Sequence, residues 1–138
     1  MIPIHEPLEK ETLQAMGVLN LAHVGDGVYE LLARTHVARQ GAVRLNDQHR
    51  ATIALVSAPA QAAAAERLTP LLSEEELRLF RRGRNTRVHG CPAGCTAAQY
   101  HAATALEALF GWLWLSGNAA RAAELFEIIT AEGGESAS

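Results

Sequence analysis

Three observations predict an all-α fold. Apolar side chains recur at three- and four-residue spacing along most of residues 12–132, helix-capping residues stand at the starts of the periodic segments, and no stretch alternates apolar and polar as a half-buried strand does. No internal repeat is present. The 138 residues suit one domain that buries its own core. The expected organisation is an N-terminal arm over residues 1–11, a helical bundle over 12–132 and a frayed tail over 133–138.

Each element has its own signal. Residues 1–11 carry two prolines and no apolar period, so they are expected to pack loosely or not at all. Leu21, Val24, Val28 and Leu31 form an apolar stripe on a first long helix that runs to about Gln40 and stops at Gly41. A second helix is expected from Asn46 as N-cap, carrying Ile53, Leu55 and Val56. Ser57 caps the next, with Pro59 in its first turn. "SEEEL" places the cap Ser73 ahead of three glutamates at the positive end of a helix dipole, and that helix is expected to end near Gly83. "GRNTRVHGCPAGC", residues 83–95, has three glycines, a proline and no period, which marks one long loop. Residues 96–116 are apolar all round, as a central helix surrounded by others must be. A closing amphipathic helix covers about Asn118 to Ala131.

Composition removes some functions. Twelve Lys and Arg against fifteen Asp and Glu give a net charge of −3, so any polyanion must be met by a local patch. Two cysteines cannot build a disulfide framework, and "MIPIHEPLEKETLQ" lacks the basic start and apolar run of a signal peptide, so a cytoplasmic location is expected. "ALEALFGWLWL" contains Glu107 and falls short of the roughly 20 apolar residues that span a bilayer, so no membrane role is expected.

Two carboxylates stand out. On a helical wheel Asp26 lies opposite the aliphatic stripe, beside Ala22, Tyr29, Glu30 and Ala33, a face small enough for another helix to approach closely. Glu107 shares its face with Tyr100, Ala103, Thr104, Phe110, Gly111 and Trp114, so it is expected to be buried. An ionised carboxylate buried without a partner costs several kcal/mol, and neither helix places a Lys or Arg one turn away. If both acids are buried and face each other across packed helices, a divalent ion between them resolves the cost, and hard oxygen ligands without imidazole suit Mg²⁺ or Mn²⁺. The competing reading puts Asp26 at solvent and pairs Glu107 with a distant arginine.

Together, "LAHVGDGVYELLARTHVARQG", "NDQHRATIALVSAPAQA", "EEELRLFRRGRNTR" and "YHAATALEALFGWLWL" resemble Mini-ribonuclease III, the compact bacterial relative of ribonuclease III, in order from about residue 18 to 130. The resemblance implies a ribonuclease III-like catalytic domain over 12–132, a homodimer without a separate RNA-binding domain, and Mg²⁺-dependent cleavage of double-stranded RNA, notably at the ends of precursor 23S ribosomal RNA. Mn²⁺ would substitute, a ribosomal protein would be a possible partner, and the products would end in 5′-phosphate and 3′-hydroxyl. The signature "GD" falls on Gly25 and Asp26, and the glutamate of "EAL" on Glu107; both acids would be catalytic metal ligands. Where ribonuclease III carries further acids one turn before each, this chain has Ala22 and Thr104. Glu30 matches the Mini pattern and would act through water or form a surface ion pair.

RNA affinity must then come from the catalytic body. Arg81, Arg82, Arg84 and Arg87, with Asn85 and His89, gather a third of the basic residues at the start of the long loop. Such a patch suits the phosphates and 2′-hydroxyls of A-form RNA, and Arg82, Arg84, Asn85 and Arg87 are the expected contacts. Alternatively, some of these arginines pair with Glu74, Glu75 and Glu76 or cap the helix. His49 matches the family without a derivable role. His89, Cys91, Cys95 and His101 approach a zinc set, but C-x₃-C is an unusual spacing, which favours reduced loop cysteines. Two other functions compete with the nuclease: a catalytically idle RNA-binding module of ribosome assembly, and a helical protein-interaction domain.

Overall fold

The computed structural model describes residues 3–41, 44–88 and 90–131. The expected tail, 133–138, and His89 lie outside the described residues. In order, the elements are α1 (Lys10–Ala15), α2 (Val18–Arg39), α3 (Leu45–Val56), α4 (Ala58–Leu68), a short 3₁₀ turn (Thr69–Leu71), α5 (Glu74–Arg84), α6 (Ala97–Leu115) and α7 (Ala119–Thr130). No strand occurs among the described residues.

Side-chain caps set several boundaries. Ser57 Oγ accepts the Ala60 amide at 3.3 Å, while Ser73–Glu76 and Thr96–Gln99 form reciprocal capping boxes at the starts of α5 and α6. Asn46 does not cap α3: the Gln48 amide it would need is already bonded to the Arg44 carbonyl at 3.0 Å, and the N-cap position falls two residues earlier, on Arg44. Gly41, with φ of +88°, follows α2 in the left-handed region where glycine is favoured. Helix α5 ends at Arg84, next to the expected Gly83. A Cβ at 83 would come within 2.9 Å of Ala105 Cα, so this glycine lets α5 press against α6.

Helix α6 is the centre, packed by α2, α4 and α5. The buried face of α2 differs from the expected stripe. Val18, Leu21, Ala22, Gly25, Tyr29, Ala33 and Val37 are buried, whereas Val24 and Val28 are half-buried and Leu31 is 62% exposed. Small side chains permit close approach to α6, and dense packing there outweighs the larger aliphatic area on the other side. Tyr29 fills the core edge-on between Phe110 and Phe126, with ring centroids 5.0 and 5.2 Å away.

Part of the segment expected as a loose arm packs on the body. The Leu8 amide donates to the Leu115 carbonyl at 2.9 Å, and Pro7 covers Gly117. Of the three glutamates opening α5, Glu76 is buried; its carboxylate accepts from Arg121 Nε at 2.8 Å and Nη2 at 2.9 Å, tying α5 to α7. Arg67 donates to the carbonyls of Ile128, Ile129 and Ala131, closing the end of α7 onto α4.

Candidate functional site

The helices that carry the two acids touch backbone to backbone. A Cβ at Gly25 would collide with the Glu107 carbonyl, and a Cβ at Gly111 with the Leu21 carbonyl. Two glycines, one per helix, therefore set the α2–α6 crossing. Asp26 follows Gly25 directly and is carried to the edge of this crossing, beside Glu107.

The carboxyl of Glu107 interacts with two side chains. The Gln61 amide of α4 donates to it, and in its protonated form it donates to Asp26. Burial pushes Glu107 up to about 7, the negative charge of Asp26 pushes the same way, and the Gln61 hydrogen bond opposes both. Only part of the buried-pair expectation holds: Glu107 is half-buried, but Asp26 is exposed. The small α2 face lies against α6, and Asp26 falls at its solvent edge. Among the described residues no Lys or Arg forms an ion pair with either acid, so no distant arginine answers Glu107.

Gln61 is buried, and sequence reasoning missed it. The available signal was one amide in a run of alanines, four residues after the Ser57 cap. Gln61 and Glu107 border a cleft of about 330 Å³ walled on one side by Pro59 and on the other by Pro92, Gly94 and Cys95. The loop's contribution to this wall was also missed, because a segment without a period carries no signal of where it folds back. Ala22 is buried, and Thr104 donates to the Tyr100 carbonyl at 3.0 Å, so neither position offers an acid.

The remaining candidates lie elsewhere. Glu30 pairs with Arg34 one turn on, at 2.9 Å. Arg82 donates to the Met16 carbonyl at 3.1 Å, linking α5 to the segment between α1 and α2. Arg84 sits over the Phe80 ring, 5.8 Å from its centroid, and lines a separate groove with Glu66 and Gln99. Asn85 ends α5, and Arg87 is exposed in the following loop. None of the four arginines pairs with Glu74, Glu75 or Glu76 among the described residues. His49 lines a small cavity with Arg34 and Thr52 between α2 and α3. No group of three His, Cys, Asp or Glu side chains gathers to hold a metal among the described residues, which do not include His89.

Two acids repelling each other without a cationic partner, one already pushed up by burial, form a donor set that a hard divalent ion fits. Its charge would favour ionisation of Glu107, which the site otherwise resists.

The ribonuclease III domain family matches residues 19–118. The chain is 44% identical to a Mini-ribonuclease 3 of Symbiobacterium thermophilum over 109 residues, covering 79% of this chain and 84% of that one. It is 40% identical to a Mini-ribonuclease 3 of a Thermoanaerobacter species over 123 residues, covering 89% and 87%. A crystal structure of a Fusobacterium nucleatum protein superposes with a TM-score of 0.80 at 26% identity, over 86% of this chain and 97% of that one. With Asp26 and Glu107 met across the α2–α6 crossing of a ribonuclease III domain, the chain belongs to the ribonuclease III family, among its Mini-ribonuclease 3 members.

Proposed function

We propose that this chain is a Mg²⁺-dependent endoribonuclease that cuts double-stranded RNA, acts as a homodimer in the cytoplasm and matures the ends of precursor 23S ribosomal RNA, with a ribosomal protein as assisting partner. The observation that carries the nuclease reading is the meeting of Asp26 with Glu107, from distant parts of the chain, with Glu107 at the border of a cleft and no cation of the protein's own paired with either among the described residues. An idle RNA-binding module has no use for that repulsion.

Asp26 and Glu107 would hold the ion. Bound there, Mg²⁺ or Mn²⁺ would supply activation of the attacking water and stabilisation of charge growing on the phosphate oxygens. Gln61 orients the Glu107 carboxyl and favours its ionised form. The products carry 5′-phosphate and 3′-hydroxyl ends. Arg84, Asn85 and Arg87 contact the RNA backbone, and Arg82, tied to Met16, holds the base of that patch in place. Glu30, engaged by Arg34, reaches this chemistry only through water.

Dimerisation is supported by an apolar groove of about 300 Å³ between Val24, Val28, Leu31 and Trp114, with Leu31 and Trp114 left exposed. A second copy would cover it and present one site to each strand. Among the described residues no helix is long and apolar enough to cross a membrane.

The test is incubation with a duplex RNA and a matched single strand, with and without Mg²⁺. Metal-dependent cleavage of the duplex alone, lost in Asp26→Asn, is expected. Binding without cleavage would establish the idle module, and no RNA binding at all would leave a protein-interaction domain.

A further inference from the structure

Cys95 lies in the wall of the Glu107 cleft, and the thiol of Cys91 lies close to it. Their sulfurs are 3.9 Å apart, and Cys91 Sγ also lies 3.3 Å from the Cys95 carbonyl. Gly90 and Gly94, with φ of +77° and +94°, let the chain fold back over Pro92 to bring the two together. Cys91 is exposed and both thiols are free. Cys95 immediately precedes the Thr96 capping box, so it stands on the fixed start of α6 while Cys91 lies on the loop. Thinned solvation, together with the hydrogen bond to Cys91, raises the Cys95 thiol above its usual range.

We propose that Cys91 and Cys95 form a reversible disulfide within the loop, and that this bond locks the wall of the cleft and restrains RNA entry. A bond of about 2.05 Å requires the sulfurs to close by roughly half of their separation, which a loop hinged at two left-handed glycines can supply. The oxidant is a low-molecular-weight disulfide such as oxidised glutathione. The Cys91 thiolate attacks it, forming a mixed disulfide and releasing one small thiol. The Cys95 sulfur then displaces the second. The protein gives up two electrons and two protons, and the small disulfide becomes two thiols.

The loop matters because Pro92, Gly94 and Cys95 face Gln61 and Glu107 across the cleft. A duplex is far wider than that cleft, so the loop must yield as RNA arrives. A cross-link from the loop to the start of α6 opposes this. The effect on cleavage rests on the ribonuclease reading; the disulfide itself does not.

The full chain is equilibrated in oxidising and in reducing glutathione buffers, quenched with acid, alkylated and weighed intact. The expected oxidised product is a single chain lighter by two hydrogens that takes no alkyl group, and dithiothreitol restores two alkylation sites. Thiols that stay alkylatable under oxidation, or a bond that links two chains, overturn the disulfide. Duplex cleavage by the two redox forms is then compared at equal concentration. About a tenfold loss on oxidation, carried mainly by KM, reversed by dithiothreitol and absent in Cys91→Ser, is expected. Equal cleavage by an intact disulfide form overturns the restraint. If neither redox form cleaves, the restraint falls together with the ribonuclease reading, and the masses alone decide the disulfide.

Discussion

The backbone of Gly25 rests directly on the carbonyl of Glu107, leaving no room for a Cβ between them. The residue after one partner and the side chain of the other are the two acids of the proposed site. The contact that packs the core therefore also sets the spacing of the carboxylates, and on the proposed reading stability and cleavage share one joint.

Gly25→Ala forces α2 and α6 apart. Overpacking against backbone, which cannot rotate away, costs about 3 kcal/mol, and a chain of this size then melts ~10 °C lower. Gly27 is the control, since a Cβ there meets nothing within 4 Å. Gly27→Ala stabilises the helix by about 0.5–1 kcal/mol. Differential scanning calorimetry of the two variants checks both signs.

Removing the acid at 107 makes the metal-free protein more stable. An acid raised in the folded state is preferred neutral, so folding stability falls as pH rises from about 4.3, its ordinary value, to about 7. Above that pH the full penalty is present, on the order of 2–3 kcal/mol. Glu107→Gln should melt higher than the parent in chelator at pH 8, equal it near pH 4, and lose both cleavage and the thermal shift caused by Mg²⁺.

Gln61 acts through Glu107. Its hydrogen bond favours the ionised carboxylate, so Gln61→Leu lets Glu107 hold its proton to higher pH. Cleavage is expected to drop about 10- to 100-fold, with the acid limb of the pH–rate profile moved upward. A uniform loss at every pH would mean that Gln61 only packs.

Acid unfolding reports a different pair. The Arg121 guanidinium holds Glu76 below the usual carboxylate range, helped by the Ser73 amide, although burial opposes them. A depressed acid contributes stability above its unfolded value of about 4.3, and this is lost as pH falls through the folded value. Glu76→Gln should destabilise the chain by about 3 kcal/mol at pH 7, with the gap narrowing below pH 4. Urea titrations across pH measure it.

Leu31→Asp tests the apolar groove. The side chain is 62% exposed and costs little in the monomer. Sedimentation should nevertheless show the parent as a dimer and the variant as a monomer that cleaves one strand of a duplex at a time.

Much of this was legible in the chain. Ser57 and Ser73 cap where their chemistry says they should, and the all-round apolar run from Thr96 to Ser116 is the central helix. These signals are local: a hydroxyl reaches an amide two or three residues on, and a helix surrounded by others must be apolar on every side. The α2 stripe misled for an equally physical reason. Val24, Val28 and Leu31 carry more apolar area per residue than Ala22, Gly25 and Ala33, yet they stay half-buried or exposed; periodicity weighs area, whereas α6 selects the face it can approach most closely.

The sequence alone determined the all-α class, the caps at Ser57 and Ser73, the resemblance to Mini-ribonuclease III and the choice of two candidate acids, because each is written in neighbouring residues or in short ordered blocks; it did not separate α1 from α2, whose break at Met16 and Gly17 carries no such signal. Only the tertiary structure decided that Asp26 is exposed while Glu107 is half-buried, that Gln61 reaches Glu107, that Arg121 rather than the loop arginines answers Glu76, and that Cys95 walls the cleft with Cys91 beside it. Those outcomes depend on which backbones can touch. Distance across a fold is set by the volumes of side chains far apart in the chain, and no local pattern records it.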